Sequence, residues 1–171
     1  LMQCAMLILY RQGVKHAQKV FFQNKENQAF MLQHHVVTGA YELIPGSGVN
    51  TERFPLLDYP DEDQKIRFLF ISRIMKEKGI EQYLQMAKII KVKYPYTEFH
   101  ICGFCEKEYQ GELDKCCEDG VVIYHGEIQN VSDFLKSIHC VVHPTFYPEG
   151  LSKCTSRICS CKLGFPYGKS C

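Results

Sequence analysis

The sequence has no excess of basic charge, no apolar run long enough to cross a bilayer, no internal repeat and no low-complexity stretch. Lys and Arg number 20 against 19 Asp and Glu, a net charge of +1. A nucleic-acid-binding surface shows a clear basic excess, so a nucleic-acid partner is not expected. No apolar stretch reaches the ~18 residues of a membrane-spanning helix. The opening LMQCAMLILY is apolar, but it carries neither a charged leading segment nor a small-residue cleavage site, which argues against a secretory signal. The chain begins with Leu1, and the expectation is that it starts inside a larger protein. Aromatics make up 12% of the residues, which argues against disorder, and 171 residues can bury a real core.

What the chain does have is cysteine, ten in all. Six are scattered (Cys4, Cys102, Cys105, Cys116, Cys117 and Cys140), mostly inside apolar periodic segments where cysteine behaves as a small hydrophobe. Four crowd the end (Cys154, Cys159, Cys161 and Cys171). Cys102-x-x-Cys105 could open a zinc site, but no second pair follows at zinc-finger spacing, and Cys159-x-Cys161 with Cys171 is no better. No metal is expected. A disulfide scaffold is set aside because the remainder reads as a cytosolic α/β domain.

Residues 17–24 read as a strand, Lys25–His34 as a short helix and Tyr41–Leu43 as a second strand. Residues 44–65, with Pro45, Gly46 and Gly48 among charged residues, read as a linker into a new domain. From Ile66 the pattern is regular. Ile66–Ile71 is apolar but for Arg67, as in a parallel strand buried on both faces. Ile80, Tyr83, Leu84, Ala87 and Ile90 then recur at helical spacing. Thr97–Cys102 is a strand, Tyr109, Leu113 and Cys116 share a helical face, and Val121–Tyr124 is a strand. Val131, Phe134, Leu135 and Ile138 mark a helix with Asn130 as its N-cap, and Cys140–His143 is a strand. Such alternation means right-handed βαβ units and a Rossmann-like, doubly wound parallel sheet.

Ligands of these sheets bind beyond the carboxyl ends of the strands. The unusual residues gather there. Arg73 and Lys78 follow the first strand, Gly103 the second, His125-Gly126 the third, and Pro144 to Glu149 the fourth. Arg73 and Lys78 read as a diphosphate clamp, one bidentate and one compact charge. The alternative is a solvated first helical turn, but cations there oppose the helix dipole unless an anion arrives. Lys76 and Glu77, between them, are expected to face solvent. Gly103 either lets backbone approach a ligand or makes an ordinary turn. His125 either contacts a base or sugar or is structural. Glu149-Gly150 offers a carboxylate for sugar hydroxyls ahead of a helix whose free N–H groups suit a phosphate, the alternative being a capping acid.

The runs FISRIMKEKGI, HICGF, VIYHGE and HPTFYPEGLS together resemble the C-terminal domain of family-four retaining glycosyltransferases. VFFQNKEN and LIPGSGVN resemble the end of the acceptor domain and the interdomain linker. The resemblance covers roughly residues 17–152 and implies the incomplete C-terminal half of a GT-B fold. Residues 1–43 would be the tail of the acceptor domain, 44–65 the linker, and 66–152 the nucleotide-sugar-binding domain. It implies hexosyl transfer from a nucleotide-diphosphate sugar, UDP-linked, to a growing glycan or lipid-linked saccharide, with retention of configuration and no cofactor or metal. Arg73 and Lys78 would hold the diphosphate and stabilise the leaving nucleotide. Glu149 would position the donor sugar, the backbone at Gly150, Leu151 and Ser152 would contact sugar and phosphate, and Gly103 would sit near the nucleotide. A cytoplasmic location, with peripheral contact at the inner membrane face, is implied in the same way.

The family's Glu-x7-Glu motif places its second, ribose-binding Glu eight positions after Glu149, where this chain has Arg157. Residues 153–171 also lack the expected apolar helix. One choice of codons for residues 153–163 of this Cys-rich tail, read one base later, encodes Asn-Val-Leu-Leu-Glu-Ser-Ala-Ala-Ala-Ser, with the Glu at position 157. The expectation is a shifted reading frame after Ser152 and an inactive polypeptide. The alternatives are a genuine divergent tail on a non-catalytic nucleotide-binding module, and a Cys-rich metal-binding module.

Overall fold

The computed structural model describes residues 2–46, 48–52, 54–60 and 64–146. The chain divides into two compact units, with the boundary between Gly48 and Val49.

The first unit opens with helix α1 (Met2–Val14), which the apolar opening did not announce. Its contacts explain why. Among its described side chains, Leu7 and Val14, two turns apart, are the ones that reach the small core of Phe22, Val36 and Val37, while Met6, Ile8, Leu9 and Tyr10 are exposed. An apolar segment that buries one narrow stripe shows no clear helical period. Strand β1 (Val20–Phe22), helix α2 (Lys25–Gln33) and strand β2 (Tyr41–Leu43) form one parallel βαβ crossover, with Val20 opposite Tyr41. The strand expected over 17–24 is therefore three residues long. Asn24 caps α2, its side chain accepting from the Asn27 amide at 2.7 Å.

The second unit holds a four-stranded parallel sheet in the order β5-β4-β3-β6. Its strands are β3 (Ile66–Ile71), β4 (Thr97–Cys102), β5 (Ile123–Tyr124) and β6 (Cys140–Val141). The last two are shorter than the apolar runs implied. Helices α3 (Ile80–Lys93), α4 (Lys107–Glu118) and α5 (Val131–Leu135) connect them. As the sequence implied, Asn130 caps α5, accepting from the Asp133 amide at 3.3 Å.

β3 is buried on both faces, which is why its sequence does not alternate. Phe68 and Phe70 join Phe99, Ile101, Tyr83, Leu84, Ala87 and Leu113 in one core. Leu69 and Ile71 join Cys102, Leu135, Ile138 and Val141 in the other. Phe68 stacks on Phe99 with ring centroids 5.0 Å apart. The buried Tyr83 hydroxyl donates to the carbonyls of Phe68 (3.2 Å) and His100 (2.9 Å), so its polar end is satisfied. Part of the stretch read as linker belongs to this unit: Phe54 is buried in the second core, with Val49 and Leu57 against it. Cys102 and Cys116 are packed as small hydrophobes, and burial pushes the Cys102 thiol up to about 12. Among the described residues no helix is long and apolar enough to cross a membrane.

Candidate functional site

The strand order sets the location. From β3 the chain steps to β4 and β5 on one side, then crosses back to β6 on the other. The sheet therefore switches direction between β3 and β6, and open parallel sheets bind their ligands beyond the carboxyl ends of the strands at such a point.

Past Ile71 the backbone stays tied to its neighbour. The Ser72 amide donates to Cys102 O (3.1 Å), the Ile74 amide to Phe104 O (2.8 Å) and the Glu106 amide to Ile74 O (3.2 Å). Arg73 is thus anchored on both sides while its side chain is exposed, and among the described residues it makes no ion pair. A 3-10 turn over Lys76–Lys78 follows, closed by Gly79 in the left-handed region at φ 80, and α3 starts at once. Lys78 lies in this turn, ahead of α3, and is only 7% exposed, so it is not the solvated helical lysine of the alternative reading. A lysine this buried needs compensation by polar or anionic groups. Lys76 is exposed and Glu77 half-buried.

The loop after β6 lies against this turn. Thr145 Oγ1 and the Phe146 amide both donate to the Glu77 carbonyl at 3.1 Å. A Cβ added to Gly79 would fall 2.3 Å from Pro144 O, so at this point the two backbones touch. Gly103 is a second close approach. At φ 133 it carries its backbone so near Ser72 that a Cβ would sit 2.0 Å from Ser72 O. Its amide donates to Gly126 O (2.8 Å) and its carbonyl accepts from the Tyr124 hydroxyl (2.8 Å). The glycine therefore joins three strand ends at the rim where the nucleotide was expected.

His125 has a specific partner. Its ring stacks on His100 of β4, with centroids 5.2 Å apart, and its Nε2 lies 2.9 Å from His100 Nδ1. Phe134 meets both rings edge-on. Burial lowers both imidazoles from the ordinary histidine value, and the neighbouring ring adds to the effect at His100. Among the described residues no group of His, Cys, Asp and Glu could hold a metal ion. Glu149, Gly150, Leu151 and Ser152, together with Arg157 and the terminal cysteines, lie outside the described residues.

The sequence reading brought Arg73, Lys78 and Gly103 to one end of the sheet, and they stand there. It missed Thr145 and the Glu77 carbonyl. A hydroxyl that bonds to a backbone carbonyl 68 residues away leaves no local signal.

No curated protein sequence matches the chain. Among solved structures, TarM superposes with a TM-score of 0.60 at 18% identity, covering 86% of this chain and 29% of TarM. HepE of Anabaena, solved with UDP-glucose, gives 0.68 at 15% identity, covering 91% of this chain and 46% of HepE. Sucrose-phosphate synthase of Thermosynechococcus elongatus gives 0.60 at 20% identity, covering 85% of this chain and 39% of the synthase. The chain thus spans less than half the length of each, and at these identities the likeness establishes the fold, the Rossmann-like C-terminal half of GT-B. The family model for glycosyl transferases group 1 matches residues 58–153, the whole described sheet included. With more than half of its length matched, this chain belongs to the glycosyl transferases group 1 family.

Proposed function

We propose that the protein to which this chain belongs transfers a sugar from a nucleoside-diphosphate donor to a growing glycan or lipid-linked saccharide. The observation that carries this reading is the pairing of an exposed, backbone-anchored Arg73 with a buried Lys78 at the sheet's switch point, immediately before α3. In the reaction the bond from the sugar's anomeric carbon to the diphosphate oxygen breaks. A bond to an acceptor hydroxyl forms, and that hydroxyl loses its proton. The leaving diphosphate gains negative charge, which fixed cations and helix N–H groups stabilise more in the transition state than in the ground state.

Arg73 and Lys78 carry that task here. Glu149 orients the donor sugar, the backbone of Gly150, Leu151 and Ser152 contacts sugar and phosphate, and Gly103 borders the nucleotide. The reading calls for no cofactor. UDP is the favoured nucleotide, because HepE and a TarM variant were each solved with UDP or a UDP-sugar. Retention of configuration, a cytoplasmic location and peripheral contact with a membrane face belong to the same proposal and rest on the resemblance of the motifs.

The test is calorimetric titration of UDP into the chain and its Lys78→Ala variant. Loss of at least tenfold in affinity, with the fold retained, is the expected result. Unchanged affinity sinks the clamp. A second reading, a nucleotide-binding module without transfer, is favoured by Arg157 in place of the ribose-binding Glu. The family match also stops at residue 153, where the tail departs from the expected helix. Resequencing the coding DNA across Ser152 separates the two. A one-base shift restores the enzyme reading for the parent gene, and a confirmed tail leaves the binding module.

A further inference from the structure

The residues on either side of Lys78 are each held by the loop that follows β6. On one side the Glu77 carbonyl accepts from Thr145 Oγ1 and from the Phe146 amide, both at 3.1 Å. On the other, Gly79 lies against the Pro144 carbonyl so closely that no side chain fits between them. Within the turn itself, the Met75 and Lys76 carbonyls accept from the amides of Lys78 and Gly79. The Glu77 carbonyl points instead to the neighbouring loop, which supplies two donors from consecutive residues. Of these three ties, the Phe146 amide is backbone that any residue but proline supplies, and the Gly79 contact needs a residue without a side chain. The third needs a side-chain hydroxyl at position 145.

We propose that Thr145 is a positioning residue: its hydroxyl, with the Phe146 amide, clasps the Glu77 carbonyl and fixes the backbone from which Lys78 reaches the donor's diphosphate. This rests on the diphosphate reading given above. The physical need is clear. A lysine is a compact charge on a flexible four-carbon stem, so its usefulness to an anion depends on how firmly its Cα is held. The chain leaves β3 and β6 toward different neighbours, and nothing within β3 alone ties its loop to that of β6. The clasp makes the two loops one unit.

The experiment compares the full chain with Thr145→Val, which keeps the shape and removes the donor, and Thr145→Ser, which keeps the donor. Two readouts are taken: hydrogen exchange of the amides from Ile74 to Gly79, and affinity for UDP. Valine is expected to speed local exchange about tenfold, the ratio for one hydrogen bond of about 1.4 kcal/mol, while β4 and α4 amides keep their rates. Valine also weakens UDP binding, and serine restores both values. Exchange unchanged in the valine variant, or not restored by serine, overturns the clasp. Faster exchange with unchanged UDP affinity overturns the positioning role. If the parent chain binds no UDP while valine still speeds exchange, the diphosphate reading fails and the positioning role with it, and the clasp remains as a structural tie.

Discussion

Two arginines on one segment meet opposite fates. Arg67 lies at the amino end of β3, where its Nε donates to Glu98 at 3.0 Å and Glu98 also accepts from Lys65 at 2.7 Å. Its backbone is closed off as well: the Arg67 amide donates to His139 Nδ1, and the His139 amide donates to the Arg67 carbonyl. Arg73, past the carboxyl end of the same strand, has equally fixed backbone neighbours and an exposed side chain with no ion pair among the described residues. Arg67 is neutralised within the sheet, and Arg73 is presented to solvent. The comparison shows why a cation's value as a site marker depends on its place along a parallel strand more than on its type.

The contrast can be broken most severely at Gly103. Gly103→Ala puts a Cβ onto Ser72 O in a backbone region that L residues rarely adopt, so the strand ends must separate. A loss of at least about 3 kcal/mol is expected in chemical denaturation, and a change below 1 kcal/mol would show that the rim yields easily. Next come the two arginines. Arg73→Ala is expected to weaken UDP binding about tenfold or more with an unchanged melting temperature. Arg67→Ala is expected to lower stability by about 1 kcal/mol, since it leaves the partly buried Glu98 with Lys65 as its remaining cation, and to leave UDP affinity alone. Calorimetry and thermal melts on the two variants decide, and equal effects on both readouts would erase the distinction.

The smallest effect is pH dependence. His100 and His125 are held below the ordinary value of 6.5, so in acid the unfolded chain takes up protons before the folded one does. Stability is therefore full above about pH 6.5 and falls as pH drops below it. Glu98 is also lowered, mainly by the hydrogen bond from Lys65. Its contribution is present above its ordinary value of 4.5 and is lost as pH falls further. Urea midpoints at descending pH should decline in both windows, and His125→Asn should flatten the upper one. A level profile from pH 7.5 to 5 would contradict the paired-imidazole geometry.

Much of this was legible in the residues themselves. Tyr109, Leu113 and Cys116, spaced along one face of α4, are the residues that helix buries. The apolar run Phe68–Ile71 of β3 announced burial on both faces, and Asn130 announced the start of α5. What stayed hidden depends on backbone groups or on register. The Glu77 carbonyl has no identity in sequence, and its partner Thr145 is an ordinary loop threonine. His100 and His125 meet only because β4 and β5 pair with His100 opposite Ile123. Gly103 could be an ordinary turn or a close approach until Ser72 was seen against it. Lys78, read as either clamp or solvated helix start, is buried in a 3-10 turn ahead of α3, which removes the second reading, a distinction of one turn of chain that periodicity does not resolve.

The central position of β3 has a kinetic consequence. Its pairing with β4 joins Arg67 to Glu98, 31 residues apart, while its pairing with β6 brings together Arg67 and His139, 72 residues apart. Loop closure favours the nearer partner, so β3, β4 and the helix between them assemble first, and β6 is added to an existing edge. The Thr145 clasp comes into being with that last strand. The pair of loops proposed to hold the diphosphate is thus finished late in folding, and any ligand that bridges the two binds only the completed sheet and holds its final strand in place.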